Sequence, residues 1–345
     1  MMRLLVGCLV STWAVTAWAD SPIAAKVGED TISVAEVHNE MRMVLKDRVL
    51  SEAERRTIEA QTLGLLVNRQ LVVRFLESKM IGASEADINQ TMDEVKAKLA
   101  QQKRTLPDYL KSIGITEADM RRSLSWELGW PKYVSAKYTP KNLSAYFENY
   151  RRHFDGTQLQ VRHILFKVDP TAENSTVKSV AEQAMKIREE IVAGKMTFEE
   201  AAKKHSQAAT AAQGGELGMI GRHAPMPASF NDAAYDLKPG NISGPIVTHF
   251  GVHLIQCVKE QPGTLTLADA EVEKTVKEEM TRYLFNLIAE NERKTKKIVF
   301  TGNLSYLKPG TGELVASGGP TAPAPEAVVD PAVKTPVEAK IPEMK

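Results

Sequence analysis

Between Glu52 and Met80 apolar residues recur at mixed three- and four-residue spacing, as Ile58, Leu63, Leu66, Leu71, Val72 and Phe75. That period lays an apolar stripe along one side of a helix. The same reading gives helices over 34–47, 85–101, 106–112 and 117–137. Ser33 is placed to cap the first of these, and Pro131 is expected to kink or break the last. Ahead of them, Ala25–Ile32 reads as a short hairpin turning at Gly28–Asp30. Thr139-Pro140 punctuates the chain, and a polar helix over 142–154 leads onward. The stretch 20–156 is thus predicted to be an all-α domain carrying a small strand.

Beyond 157 the pattern changes. Gln160–Lys167 alternates as a strand, and Val177, Val180, Ala181, Ala184, Ile187 and Ile191 mark an amphipathic helix stopped at Gly194. Thr197 with Glu200 spells a capping box for a helix over 198–206. A short helix over Phe230–Leu237 is closed by Lys238-Pro239-Gly240, and Val252–Val258 alternates as a last strand. A β-α-α-α-β order with a central strand or two describes a small α+β unit over 157–260. A long helix follows over 267–297, striped by Val272, Val276, Met280, Leu284, Leu287 and Ile288. An apolar stripe has to be buried, so its expected partners are the N-terminal helices. Lys297–Thr301 is expected to pair with the Ala25–Ile32 strands, which makes 261–301 a return to the first domain. From 302 to 345, with six prolines after Ala316 and no large apolar cluster, the chain is predicted to be a disordered tail. The fold class is α+β, a small α+β domain inserted in a mostly helical one.

Residues 1–19 read as an export signal. Arg3 precedes an apolar stretch over Leu4–Ala17, and Ala17-Trp18-Ala19 is a small-x-small site before Asp20. Leu5-Val6-Gly7-Cys8 also spells a lipobox-like pattern, but the apolar stretch continues past Cys8. No apolar run of about 18 residues follows, so no membrane span is expected in the mature chain, and a Sec-type signal points to the periplasm. The mature chain keeps one cysteine, Cys257, which has no internal disulfide partner. Forty-four basic and forty-three acidic residues nearly cancel, and no basic stripe carries interleaved aromatics. Nucleic acid is therefore excluded as an expected partner.

The chemistry-bearing residues lie in 157–260. Gly214-Gly215-Glu216-Leu217-Gly218 is followed by Phe250-Gly251-Val252-His253-Leu254-Ile255, and Val161-Arg162-His163-Ile164-Leu165 lies upstream. Alternation puts His163 on one face with Val161 and Leu165, and His253 on one face with Ile255 and Cys257. Taken alone, each histidine reads as a satisfied core residue, and Met226 with Phe230 as ordinary core packing. His205, His223, His249 and His253 do not match a zinc-binding spacing.

The whole frame, with the Phe230 helix and Gly240-Asn241-Ile242-Ser243-Gly244-Pro245, resembles the parvulin (rotamase, PpiC-like) family of peptidyl-prolyl cis-trans isomerases. The layout of the chain resembles exported foldases of the SurA and PrsA kind, in which a parvulin domain sits inside a helical chaperone domain. This resemblance implies rotation of X-Pro bonds without cofactor or metal. It also implies His163 and His253 as a hydrogen-bonded, orienting pair, a hydroxyl supplied by Thr248, and a proline pocket walled by Leu217, Met226 and Phe230. The implied partners are unfolded or partly folded exported polypeptides. Two positions depart from the family pattern. Ala208 stands where a cysteine or aspartate is usual, and Phe250 stands where a small polar residue is frequent. The first departure implies reduced activity, or a weak or silent domain that binds peptides without turning them.

Overall fold

A computed structural model describes residues 21–45, 50–169 and 174–304. The export signal and the Pro-rich stretch from 305 lie outside the described residues. Two compact units emerge. One is the chain up to Tyr133 joined by the stretch from Asn286, and the other is Val134–Phe285.

In the first unit, β1 (Ile23–Val27) and β2 (Asp30–Ser33) form the expected hairpin, and β7 (Ile298–Phe300) pairs antiparallel with β1. The sheet order is β2-β1-β7. Against it pack α1 (Val34–Leu45) and α2 (Glu52–Ser78), whose Val37, Leu63, Val67 and Leu71 share a core with Val27, Ile32 and Leu304. Ser33 and Glu36 cap α1 reciprocally, and Ser51 with Glu54 does the same for α2. A second core joins α3 (Glu85–Gln101), α4 (Leu106–Ile113) and α5 (Glu117–Lys137) through Ile88, Met92, Leu110 and Leu124. The break expected at Pro131 does not occur, because α5 runs through it. Pro131 lies on the exposed side, while Trp130 and Tyr133 are buried and the rings of Trp126, Trp130 and Tyr133 stack in series. That packing offsets the lost backbone bond.

The second unit begins with α6 (Pro140–Asn149) and α7 (Arg151–Phe154), two helices where the sequence predicted one. Between them Tyr150 adopts φ −123°, outside the helical range. The four strands β3 (Gln158–Lys167), β4 (Glu216–Gly221), β5 (Ile246–Thr248) and β6 (Gly251–Gln261) make an antiparallel sheet of order β4-β3-β6-β5. Alternation along β3 and β6 splits the core in two. Ile164, Phe166, Val252 and Leu254 meet α8 (Asn174–Val192) and α9 (Phe198–His205) on one face. Leu159, Val161, Ile255 and Cys257 meet α10 (Ala228–Asp236) on the other. The long helix α11 (Ala270–Thr295) contributes its first half to this unit, where Tyr138 donates to the Lys277 carbonyl at 3.2 Å. From Asn286 onward α11 belongs with the first unit, where Arg293 reaches Asn68 at 2.6 Å.

Gly215, just before the edge strand β4, makes a tight backbone approach to β3 at His163. It has φ +78°, its carbonyl accepts the His163 N–H at 2.8 Å, and a Cβ there would lie 2.2 Å from the His163 carbonyl oxygen. Gly194 has a similar φ of +70° but open space around it. Gly194→Ala is therefore expected to cost about 1–2 kcal/mol, the strain of a left-handed alanine. Gly215→Ala should cost about 3 kcal/mol or more, because strain adds to a lost hydrogen bond. Urea unfolding of the two variants checks this, and equal midpoints would refute the steric account.

Candidate active site

Both histidines stand on the α10 face of the sheet. The register pairs Leu165 with His253 and His163 with Ile255, so the two imidazoles are diagonal neighbours on adjacent strands. Their Nδ1 atoms are 3.3 Å apart and the rings lie nearly parallel, with centroids 5.5 Å apart. Thr248, the last residue of β5, places its hydroxyl 2.8 Å from Nε2 of His253 and accepts the Phe250 N–H at 3.1 Å. A hydrogen-bonded line thus runs Thr248–His253–His163. Along it the protons take one of two directions, since each Nδ1 can donate only if the other accepts.

Phe230 closes the line from above. It is fully buried, and its ring meets both imidazoles edge to face, with centroids 5.8 Å from His163 and 5.4 Å from His253. That geometry suits the aromatic quadrupole. Leu217 and Met226 pack against the cluster that holds Phe230 but are only half-buried, so they keep apolar surface exposed beside it. Of the six residues singled out in the sequence, His163, His253, Thr248 and Phe230 touch one another in series, and Leu217 and Met226 pack on the cluster that holds Phe230.

Electrostatics keep the pair neutral. Burial lowers the His163 pKa below the ordinary imidazole value. Burial pulls His253 further, to about 3, and the neighbouring His163 and His249 push it the same way. An uncharged ring can accept as well as donate, which a charged imidazolium cannot. Cys257 on the same face is buried, and its thiol pKa is raised by desolvation, so it is no ready nucleophile.

Around Ala208 the polar groups are committed elsewhere or shut in. Gln207 uses its Oε1 to accept the Lys167 N–H at 2.6 Å, and Ser206 uses its Oγ for the N–H groups of Leu165 and Ala208. The Thr210 hydroxyl is buried without a hydrogen-bond partner. Three supporting residues were not singled out in the sequence. Ser206 straps α9 to β3. Ser243 exchanges hydrogen bonds with Ile255, accepting its N–H at 3.0 Å and donating its own N–H to its carbonyl at 2.8 Å. Asn231 follows Phe230 on α10 and is buried. Its signal in the sequence was an asparagine inside a short apolar helix, where helix propensity alone disfavours it.

Residues 163–259 match the family model described as Rotamase, PPIC-type PPIASE domain. Chaperone SurA of Cupriavidus metallidurans is 44% identical over 99 residues, covering 29% of this chain and 19% of the relative. Foldase protein PrsA of Bacillus subtilis is 26% identical over 219 residues, covering 61% of this chain and 65% of the relative. A crystal structure of a PpiC-type peptidyl-prolyl cis-trans isomerase domain is 26% identical, covering 33% of this chain and 99% of that chain with a TM-score of 0.29. The chain spans about a fifth of the length of the SurA relatives it matches. The stretch whose motifs resemble the parvulins is therefore of the PPIC type.

The depressed imidazoles have a consequence for pH. Unfolding frees His253 to take up a proton near pH 6.5, while the folded site resists down to about 3. The stability this contributes is complete above pH 6.5 and is lost progressively as pH falls toward 3. His153, held at about 4, contributes in the same direction, so the comparison must isolate one ring. Wild type should lose more denaturation free energy between pH 7 and pH 5 than His253→Gln does. Equal losses would mean that His253 is not held neutral.

Proposed function

We propose that this chain is an exported foldase that rotates X-Pro peptide bonds and holds unfolded clients on its helical part. The observation that carries the reading is the neutral Thr248–His253–His163 line lying under Phe230. Proteins named Chaperone SurA and Foldase protein PrsA support it as relatives. On this reading the clients are unfolded exported polypeptides with X-Pro bonds, and residues 1–19 direct the chain to the periplasm. No described helix is long and apolar enough to cross a membrane.

The chemistry asks little. An X-Pro bond prefers trans by only about 0.5–1 kcal/mol. Rotation must still cross roughly 18–20 kcal/mol, because twisting destroys amide resonance. A catalyst lowers that barrier by holding the twisted amide better than either planar form. The half-buried Leu217 and Met226, backed by the cluster that holds Phe230, are suited to grip a pyrrolidine ring while the preceding carbonyl swings. In the twisted state the imide nitrogen becomes pyramidal and its lone pair localises. A nearby donor then stabilises it more than it stabilises the planar amide. The histidine line offers that polarity without taking a proton, and isomerisation transfers none overall.

Ala208 favours a second reading, in which the domain binds X-Pro segments but turns them slowly. An aspartate or cysteine there would add a polar group to the swinging carbonyl, and alanine adds none. Exchange NMR on a short X-Pro peptide with the full chain decides between them. Acceleration at micromolar protein is expected, and Met226→Ala or Leu217→Ala should cut kcat/KM by about tenfold or more. Those half-buried residues are better tests than Phe230, whose truncation would cost about 3–5 kcal/mol of stability. Ala208→Asp should raise turnover. No acceleration by wild type, with a gain in Ala208→Asp, would establish the binding reading instead.

A further inference from the structure

The loop between β4 and α10 is short of backbone donors. It reads Arg222-His223-Ala224-Pro225-Met226-Pro227, and its two prolines remove two N–H donors while fixing φ on either side of Met226. The carbonyls of Ala224 and Met226 are both met by one side chain. Asn231 donates through Nδ2 to the Ala224 carbonyl at 3.0 Å and to the Met226 carbonyl at 3.3 Å. The Met226 N–H adds a third tie, to the Ala224 carbonyl at 2.7 Å. Asn231 is 4% exposed and lies one residue after Phe230. Its own N–H and that of Phe230 both return to the Pro227 carbonyl, at 3.1 and 2.9 Å. At the outer end of the loop Arg222 pairs with Asp232 on α10.

One amide therefore fixes the Met226 loop relative to Phe230 on α10. We infer that Asn231 is a positioning residue that sets the width of the proline pocket, so that a five-membered pyrrolidine is accepted and a larger ring is excluded. The inference rests on the isomerase reading, because it names the ring which that site selects. Its physical basis is the cost of leaving the Met226 carbonyl unmet and the Ala224 carbonyl with one partner fewer. With both amide hydrogens engaged and two prolines flanking it, Met226 has few ways to retreat. A wall that cannot retreat discriminates by size, and one extra methylene in a close-fitting apolar pocket is worth about tenfold or more.

The test compares matched peptides carrying proline or pipecolic acid, its six-membered homologue, on the full chain. Wild type should prefer proline by about tenfold or more in kcat/KM. Asn231→Ala and Asn231→Leu should both compress that preference to about threefold or less, chiefly by raising KM for the proline peptide. Leucine restores the volume but no donor, so a space-filling role would leave the Leu variant with the wild-type ratio, which overturns the inference. A wild type that turns over both peptides equally also overturns it. If neither peptide is turned over, the isomerase reading fails, and the ratio of dissociation constants from NMR titration decides the positioning question by the same criteria. Should both variants fail to fold, the Asn231 side-chain amide protons of wild type supply the answer. Slow exchange with water supports the staple, and exchange as fast as in an unstructured peptide refutes it.

Discussion

His163 and His253 can touch because β3 and β6 are antiparallel neighbours whose register sets the two residues two positions apart, on the same face. Most features of the second unit serve that contact. The backbone of Gly215 lies against the His163 main chain from the β4 side. Ser243 holds Ile255, the residue opposite His163, from the β5 side. Thr248 meets the far nitrogen of His253 from the end of β5. Phe230 caps both rings. Remove the strand pairing and each of these becomes an isolated polar or aromatic group with no reason to be buried.

Neutrality follows from the same burial. Two imidazoles at 3.3 Å could not both be charged in such a place, since desolvation and mutual repulsion act together. For proton-transfer catalysis that would be a handicap. For bond rotation it is an advantage, because polarity is needed and a mobile charge is not. The site is thus organised around fixed dipoles and an apolar grip, and its pH sensitivity is expected in its stability.

The sequence made much of this legible, for reasons tied to particular residues. Reciprocal caps such as Ser33 with Glu36 and Thr197 with Glu200 are local, and local chemistry placed the starts of those helices. Alternation gave each histidine its neighbours on its own strand, and the resemblance to parvulins brought the two rings together. The misreadings were tertiary. Pro131 argued for a break, and the surrounding Trp126, Trp130 and Tyr133 overrode it. Of the strand or two expected between the helices and the last strand, β5 has too few residues for a periodic signal, and β4 carries Gly218 and Gly221, the first of them left-handed. Asn231 gave only the signal of an asparagine in a short helix, because its partners are main-chain carbonyls, which no residue type reveals.

Two kinds of constraint therefore meet at the pocket. The histidine line is held by strand register, a property of the whole sheet, and it tolerates little local adjustment. The Met226 wall is held by one side chain answering a donor shortage that Pro225 and Pro227 create. Changes in the loop can accordingly retune which ring enters while leaving the floor intact, whereas changes in β3 or β6 disturb the floor and the core together. That separation lets substrate fit vary without unfolding the domain, and it places the adjustable part of the site at its mouth.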